Sequence, residues 1–588
     1  MSFGSSTAKP TDCNSNFFLI TSLSFLAPCS RRVFDGVSGR VSFEFSTYYL
    51  KQTSNMVDVI DSNFEEIFPN FEHQLKKCSF VALDCEFTSL PFDEDTVPSF
   101  QDSGSERYKK ICQTIIQCFP LQVGVSHFTY DRDLVEYKAT IFKFYICPKF
   151  FGLFDLNINF KSSSVQFLRT YNFDFNKVFY HGIPYLNKAQ SEIVSEQMKN
   201  GILPERIYNI LTFDEREALA DHYETIRTWL HRVDVGETLT IQVGINCPHI
   251  KYFLHKDIRK CFKTVWTFHS TLSSPELTVK RVSEEERLSL QATTESKIDE
   301  ELLMSLRGFT RVLEALIISK KPIVGHNMLI DLLSCYHHYY LPLPGDYDKF
   351  KTNLNSLFPV LYDTKFISHE MKRMHFRDVL DNVSLQNLFM TFQDKKDNEF
   401  KPKIVLESGI HDEVSEVAHH AHDAGWDAFM TGFCFLKMMN LLKVDGKKSY
   451  VHCSNTELMN VAVRFKNKVN IGRAFVPYLQ LDGPDPLSSR PPHLVVSYSN
   501  RSRLNFKQLD SLLLEVGTFE VRPLSLYAAT VAAPNYHSYD DAIKKFSKMN
   551  DFRVEKYSLL RHHKWVRSFF IVGCILPASM TVWYYLKR

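Results

Sequence analysis

The feature that most constrains this chain is an apolar strand that ends in acid: Phe80-Val81-Ala82-Leu83 runs directly into Asp84-Cys85-Glu86. Side chains two apart in a strand share a face, so both carboxylates point the same way. Open α/β sheets take their ligands at the carboxyl ends of central strands, and a carboxylate in such a place keeps its charge only beside a partner. A divalent cation is the natural one. Taken alone, the pair is weak evidence and reads as an exposed strand with two solvated acids. The text around it is that of an α/β sheet. Ser62 or Asn63 stands where a helix through Phe64 and Ile67 would be capped, and strand 79–87 follows. Strand patterns recur at residues 121–128 and 140–146, and helical spacing resumes at 164–170.

A third acid, Asp331, follows a buried strand, a glycine turn and the start of a helix in Ile323-Val324-Gly325-His326-Asn327-Met328-Leu329-Ile330-Asp331. A fourth, Asp427, stands inside an apolar helix in His422-Asp423-Ala424-Gly425-Trp426-Asp427-Ala428. Each alone is an ordinary helix-start charge, and His422 has His419 and His420 beside it. Taken together they match one chemistry. Phosphodiester hydrolysis by two metal ions needs hard oxygen ligands holding two Mg2+ at about 3.5–4 Å from each other, with a base for the attacking water. Asp84, Glu86, Asp331 and Asp427 supply the ligands. His422 supplies the base, its ordinary pKa lying nearest neutrality.

The 588 residues are too many for one core and point to several domains. Lys plus Arg number 69 against 67 Asp plus Glu, so a polyanionic partner has to be met by local basic patches. The 13 cysteines include no Cys-x2-Cys pair, the pattern of reduced thiols. The group Cys247, His249, His255 and Cys261 has no zinc-module spacing. Residues 1–55 read as a poorly structured extension, 56–195 and 291–445 as two halves of the catalytic α/β domain, and 196–290 as a small inserted α/β domain. Residues 460–558 read as strand, strand, helix, strand, helix, strand, an α+β module like an RNA-recognition motif. The segment beginning at Ser568 and ending at Leu586 carries no charge, and at about 1.5 Å per residue it spans about 28 Å, near the thickness of a bilayer core. Arg561, Lys564 and Arg567 flank it on one side and Lys587 and Arg588 on the other, so it reads as a single transmembrane tail anchor with the catalytic body in the cytosol.

Longer motifs make the assignment specific. Asp84-Cys85-Glu86-Phe87, Ser164-Val165-Gln166-Phe167-Leu168, Phe173-Asp174-Phe175-Asn176-Lys177-Val178-Phe179 and His181-Gly182-Ile183-Pro184-Tyr185-Leu186-Asn187 resemble the poly(A)-specific ribonuclease family. So do Gly325-His326-Asn327-Met328-Leu329, Leu361-Tyr362-Asp363-Thr364-Lys365 and Pro477-Tyr478-Leu479-Gln480-Leu481-Asp482-Gly483-Pro484. The resemblance implies an RNase H-like nuclease of the four-carboxylate class with a catalytic histidine, able to form homodimers, that removes nucleotides from single-stranded RNA 3′ ends. It implies that Phe87, His326, Asn327 and Lys365 lie near the terminal nucleotides. The insert departs from the family's Arg-x3-His signature, since Lys263 and not a histidine stands four after Arg259. A membrane tail belongs to the family's branch that trims piRNA precursors. Trimming is therefore the expected function, with a Tudor-KH scaffold and PIWI proteins as partners at the mitochondrial outer membrane or endoplasmic reticulum. A membrane-anchored poly(A) deadenylase and an inactive RNA-binding scaffold are the alternatives.

Overall fold

The computed structural model describes residues 56–569 apart from 91–92, 94–95, 244–246, 273, 394–400, 407–420, 445–452, 489 and 563–567. Strands β1 (Met56–Val59), β2 (Phe80–Phe87), β3 (Pro120–Asp131) and β4 (Glu136–Tyr145) open the chain. Strands β5 (Thr238–Gln242), β6 (Val265–Phe268) and β7 (Glu276–Arg281) fall in the insert. The chain then returns through β8 (Ile323–Gly325), β9 (Leu361–Asp363) and β10 (Lys403–Leu406).

One mixed α/β sheet has the order β1-β4-β3-β2-β8-β9, with β10 also pairing on β4. Strand β2 lies inside it, antiparallel to β3 and parallel to β8. One face of β2 presents Val81, Leu83 and Cys85 to a core shared with helices Phe64–Lys77 and Leu329–Cys335. The other presents Phe80 and Ala82 to helix Ala424–Lys443, whose Phe429, Phe433 and Phe435 fill the second core. Asp84 and Glu86 continue this second face. That helix is apolar all round, as a helix wedged between a sheet and its neighbours must be.

Two glycines let helix and sheet approach this closely. A Cβ on Gly124 of β3 would lie 1.8 Å from the Ala424 carbonyl oxygen, and one on Gly432 of the helix 2.1 Å from the Phe128 ring. Gly124 is the ladder partner of Asp84. The bare backbone beside Asp84 is therefore where the amino end of the helix, with Asp427 in its first turn, can settle.

Some local expectations are replaced. Asn63 precedes helix Phe64–Lys77 but makes no side-chain cap. It spends its amide locally, accepting from Ile60 N at 2.8 Å and donating to the Asp58 carbonyl at 2.9 Å. The insert's sheet has the order β5-β7-β6, and its return helix Glu284–Arg307 runs unbroken across position 290 until Gly308, at φ 31°.

At the carboxyl end, β11 (Lys468–Asn470) and β12 (Tyr478–Gln480) form their own antiparallel pair, joined to the catalytic sheet where Asn467 N donates to the Leu361 carbonyl. A four-stranded sheet follows from β13 (Leu494–Tyr498), β14 (Glu520–Ser525), β15 (Ala528–Ala532) and β16 (Phe552–Lys556), in the order β14-β15-β13-β16. With helices Phe506–Leu514 and Tyr536–Ser547 its chain order is βαββαβ. This differs from the order expected, because residues 520–532 form a hairpin instead of one strand and the strand at residue 469 pairs with β12 in a separate two-stranded sheet. The expected extension 1–55 lies outside the described residues, as does the expected membrane segment apart from Ser568 and Phe569. Among the described residues no helix is long and apolar enough to cross a membrane.

Candidate active site

The fold brings the four predicted acids and the histidine to the carboxyl end of β2. Asp84 and Glu86 leave the last turns of the strand half-buried, while Asp331 and Asp427 are buried in the first turns of their helices. Candidate ligand atoms of Glu86, His422 and Asp427 all lie within 4.8 Å of one another. The His422 backbone has φ 67°, the left-handed region, and its N–H donates to both Asp427 oxygens at 3.3 and 3.2 Å. Asp423, the next residue, caps the helix by accepting from Gly425 N and Trp426 N. The His422 ring stands 4.3 Å from the Tyr171 ring and 4.6 Å from the Phe167 ring, centroid to centroid. His419 and His420 lie outside the described residues.

Burial and crowding make these carboxyls hold their protons. Burial raises Asp84 well above the ordinary carboxylate range, and Asp427, Asp331, Glu86 and Asp423 add repulsion. Glu86 rises for the same reasons, through burial and then Asp427, Asp423 and Asp331. Burial pushes Asp427 up to about 8 against the hydrogen bond from His422, and Asp331 up to about 7 against hydrogen bonds that include Cys85. Burial shifts His422 the other way, downward, which favours its neutral ring. Four carboxyls this close lack compensating charge among themselves. A divalent cation with oxygen preference fits that donor set.

The predicted substrate contacts divide. Phe87 packs against the core beneath β2. His326 Nδ1 lies 2.9 Å from Thr364 Oγ1, and burial, with Lys365 and His369 nearby, pushes it down to about 3. Asn327 is exposed at φ 60°, and its side-chain oxygen accepts from Asn470 Nδ2 at 2.7 Å. Lys365 donates to the Val383 carbonyl at 2.7 Å, so its ammonium serves a loop.

Sequence reasoning missed several neighbours. Lys143 is buried on β4 between Asp423 at 2.7 Å and Asp58 at 3.2 Å. Asp363 is fully buried and accepts from Asn327 N, Met328 N and Asn470 N. Asp423 had a local signal that went unread, an Asp directly before the apolar helix, whereas Lys143 and Asn470 left none.

A family model described as CAF1 family ribonuclease matches residues 59–435. The chain belongs to the CAF1 family of ribonucleases. It is a 3′→5′ exoribonuclease. Over 538 residues this ribonuclease is 30% identical to the pre-piRNA 3′-exonuclease trimmer of Bombyx mori, covering 90% of the chain and 99% of the relative. It is 30% identical over 519 residues to the human poly(A)-specific ribonuclease PNLDC1, covering 86% and 96%. It is 28% identical over 529 residues to the human poly(A)-specific ribonuclease PARN, covering 85% and 80%.

Proposed function

We propose that this exoribonuclease trims the 3′ ends of piRNA precursors at a membrane surface, with Asp84, Glu86, Asp331 and Asp427 holding two Mg2+ and His422 acting as base. The observation that carries the chemistry is the convergence of four largely buried, mutually repelling carboxyls and one neutral histidine on the end of a single strand. The substrate reading is supported by similarity to the Bombyx trimmer along almost its full length.

Bound divalent ions would stabilise charge on the scissile phosphate and acidify the attacking water. The chain supplies the rest. His422, neutral by burial, takes the proton from that water, and its backbone N–H fixes Asp427. Asp423 and Lys143 hold the turn that aims His422. Asn327 and His326, at the end of β8, would lie near the terminal nucleotide, with Phe87 supporting the strand end from the core on the other face of β2. The βαββαβ module is RNA-recognition-motif-like in its strand order. The nineteen uncharged residues that begin at Ser568, flanked by Arg561, Lys564 and Arg567, hold the enzyme at the mitochondrial outer membrane or endoplasmic reticulum. There a Tudor-KH scaffold and PIWI proteins would present the precursor at raised effective concentration, and the enzyme would be able to pair as a homodimer.

The test compares the purified protein on a 3′-extended small RNA and on oligo(A), and sequences small-RNA ends and poly(A) tails in cells lacking it. Extended small-RNA 3′ ends with normal tails are expected. Normal small-RNA ends with lengthened tails would replace this reading with a poly(A) deadenylase.

A further inference from the structure

The helices of the βαββαβ module cover one face of its sheet, where Leu494, Val496, Ala529 and Val531 are buried. The opposite face carries Val495, Thr530, Glu520 and Arg522, with Val495 and Thr530 paired in the ladder and Arg522 paired with Thr530. A free module would offer this face to RNA. Here Ser99, Phe100, Gln101 and Asp102 of the nuclease domain are seated on it.

The seat is built from charge. Asp102 is 1% exposed, and it binds Arg107 at 3.2 Å, Lys110 at 2.8 Å and Arg522 of the module at 3.2 Å. Glu520 accepts from Ser99 Oγ at 2.5 Å and Phe100 N at 2.6 Å, and pairs with Arg473 at 2.9 Å. The Phe100 ring lies 5.2 Å from the Arg473 guanidinium and 4.7 Å from that of Arg490. Thr530 Oγ1 and Gln101 Oε1 are 3.5 Å apart. Val495 and Thr530, on the helix-free side, are 6% and 8% exposed.

Two backbone routes lead from this seat to the active site. The first leaves Glu86 and Phe87 through Thr88 and Ser89, which are held where Thr88 N donates to the Phe119 carbonyl at 2.9 Å and where Cys118 Sγ donates to the Ser89 carbonyl at 2.6 Å, and the chain is described again from Thr96 into the seat. The second runs through residues 470–475. Phe475 N donates to the Asp102 carbonyl at 2.8 Å, Arg107 donates to the carbonyls of Gly472 and Arg473 at 2.9 and 2.7 Å, and Asn470 reaches Asn327 and Asp363.

We infer that the module serves the nuclease as a brace, its helix-free sheet face taken by Ser99–Asp102 in place of RNA, so that it holds the segments carrying Glu86 and Asn470 in register with the active site. The inference rests on placing Glu86 and Asn327 in that site. Glu520 and Arg522 lie outside both the module's core and the catalytic set, so the seat can be broken without touching either.

The test uses the full chain with Glu520→Lys, which sets a cation beside Arg473 and Arg522, and Arg522→Ala as the milder change with Arg522→Lys as its rescue. Hydrogen exchange over residues 86–103 and 325–330, equilibrium RNA binding, and kcat and KM on a 3′-extended RNA are measured for each. Faster exchange in both segments, a kcat loss on the order of 10–100-fold for Glu520→Lys with RNA affinity within about twofold, and partial recovery by Arg522→Lys are expected. The exchange result bears on the brace whatever the site's chemistry, so a wrong assignment of Glu86 is distinguishable from a wrong brace. Lost RNA affinity with unchanged exchange would overturn the inference and return the sheet face to RNA. Unchanged exchange together with unchanged kcat would overturn it as well.

Discussion

Stripped of divalent cations, this ribonuclease should lose stability as the pH rises. Asp427 and Asp331 are pushed from an ordinary 3.8 to about 8 and about 7. The folded chain therefore keeps protons that the unfolded chain releases. A carboxyl with a raised pKa costs nothing below its unfolded value, and its penalty grows until the pH passes the folded value. The window runs from about pH 4 to about pH 8. At about 1.4 kcal/mol per pH unit, Asp427 alone costs on the order of 5 kcal/mol across it. For a nuclease domain of this size the fall corresponds to about 10 °C in Tm. Asp427→Asn keeps the shape and removes the charge. Thermal unfolding at pH 5.5 and 8.5, in chelator and in magnesium, is the assay, and this interval takes in roughly 3 kcal/mol of that cost. Wild type should melt lower at pH 8.5 in chelator and recover with magnesium. Asp427→Asn should lose part of the pH dependence, since burial still raises Asp84, Glu86 and Asp331, along with all nuclease activity. A wild-type Tm that is flat with pH in chelator, or an Asp427→Asn protein as steep as wild type, would refute the reasoning.

Other outcomes follow from the same geometry. His422→Ala should lower turnover by about 10²–10⁴-fold with RNA affinity retained, measured by single-turnover hydrolysis and equilibrium binding; an unchanged rate would move the base elsewhere. Gly124→Ala forces a methyl against the Ala424 carbonyl, 1.8 Å away, and should destabilise the protein by roughly 1–3 kcal/mol or more while displacing His422 and Asp427, read as a lower denaturation midpoint and lost activity. Removing residues 561–588 should leave hydrolysis of naked RNA intact and release the protein from membranes on fractionation; continued sedimentation with membranes would contradict the anchor.

The four acids that the fold brings together were legible because each sits in a local pattern: a strand end for Asp84 and Glu86, and a strand-turn-helix or helix start for Asp331 and Asp427. Backbone periodicity alone places such side chains. Contacts made across the sequence left no such trace. Asn470 reaches Asn327 across 143 residues, and Asp102 meets Arg522 across 420. In the C-terminal module, strand and helix patterns were visible, but not the turn that splits residues 520–532 into β14 and β15, nor the pairing of β11 with β12 in a separate two-stranded sheet. The loop contact of Lys365, whose ammonium donates to the Val383 carbonyl, likewise had no trace in the sequence.

The central claim is that Asp84, Glu86, Asp331, Asp427 and His422 form one metal-dependent exonuclease centre. It is tested most directly by incubating a 5′-labelled RNA carrying a 3′ extension with wild-type protein and with Asp84→Ala, each with magnesium and with chelator. The account predicts stepwise shortening from the 3′ end by wild type in magnesium alone and none by Asp84→Ala, with equal RNA binding and equal circular dichroism. Shortening by Asp84→Ala at the wild-type rate, or by wild type in chelator, would contradict it.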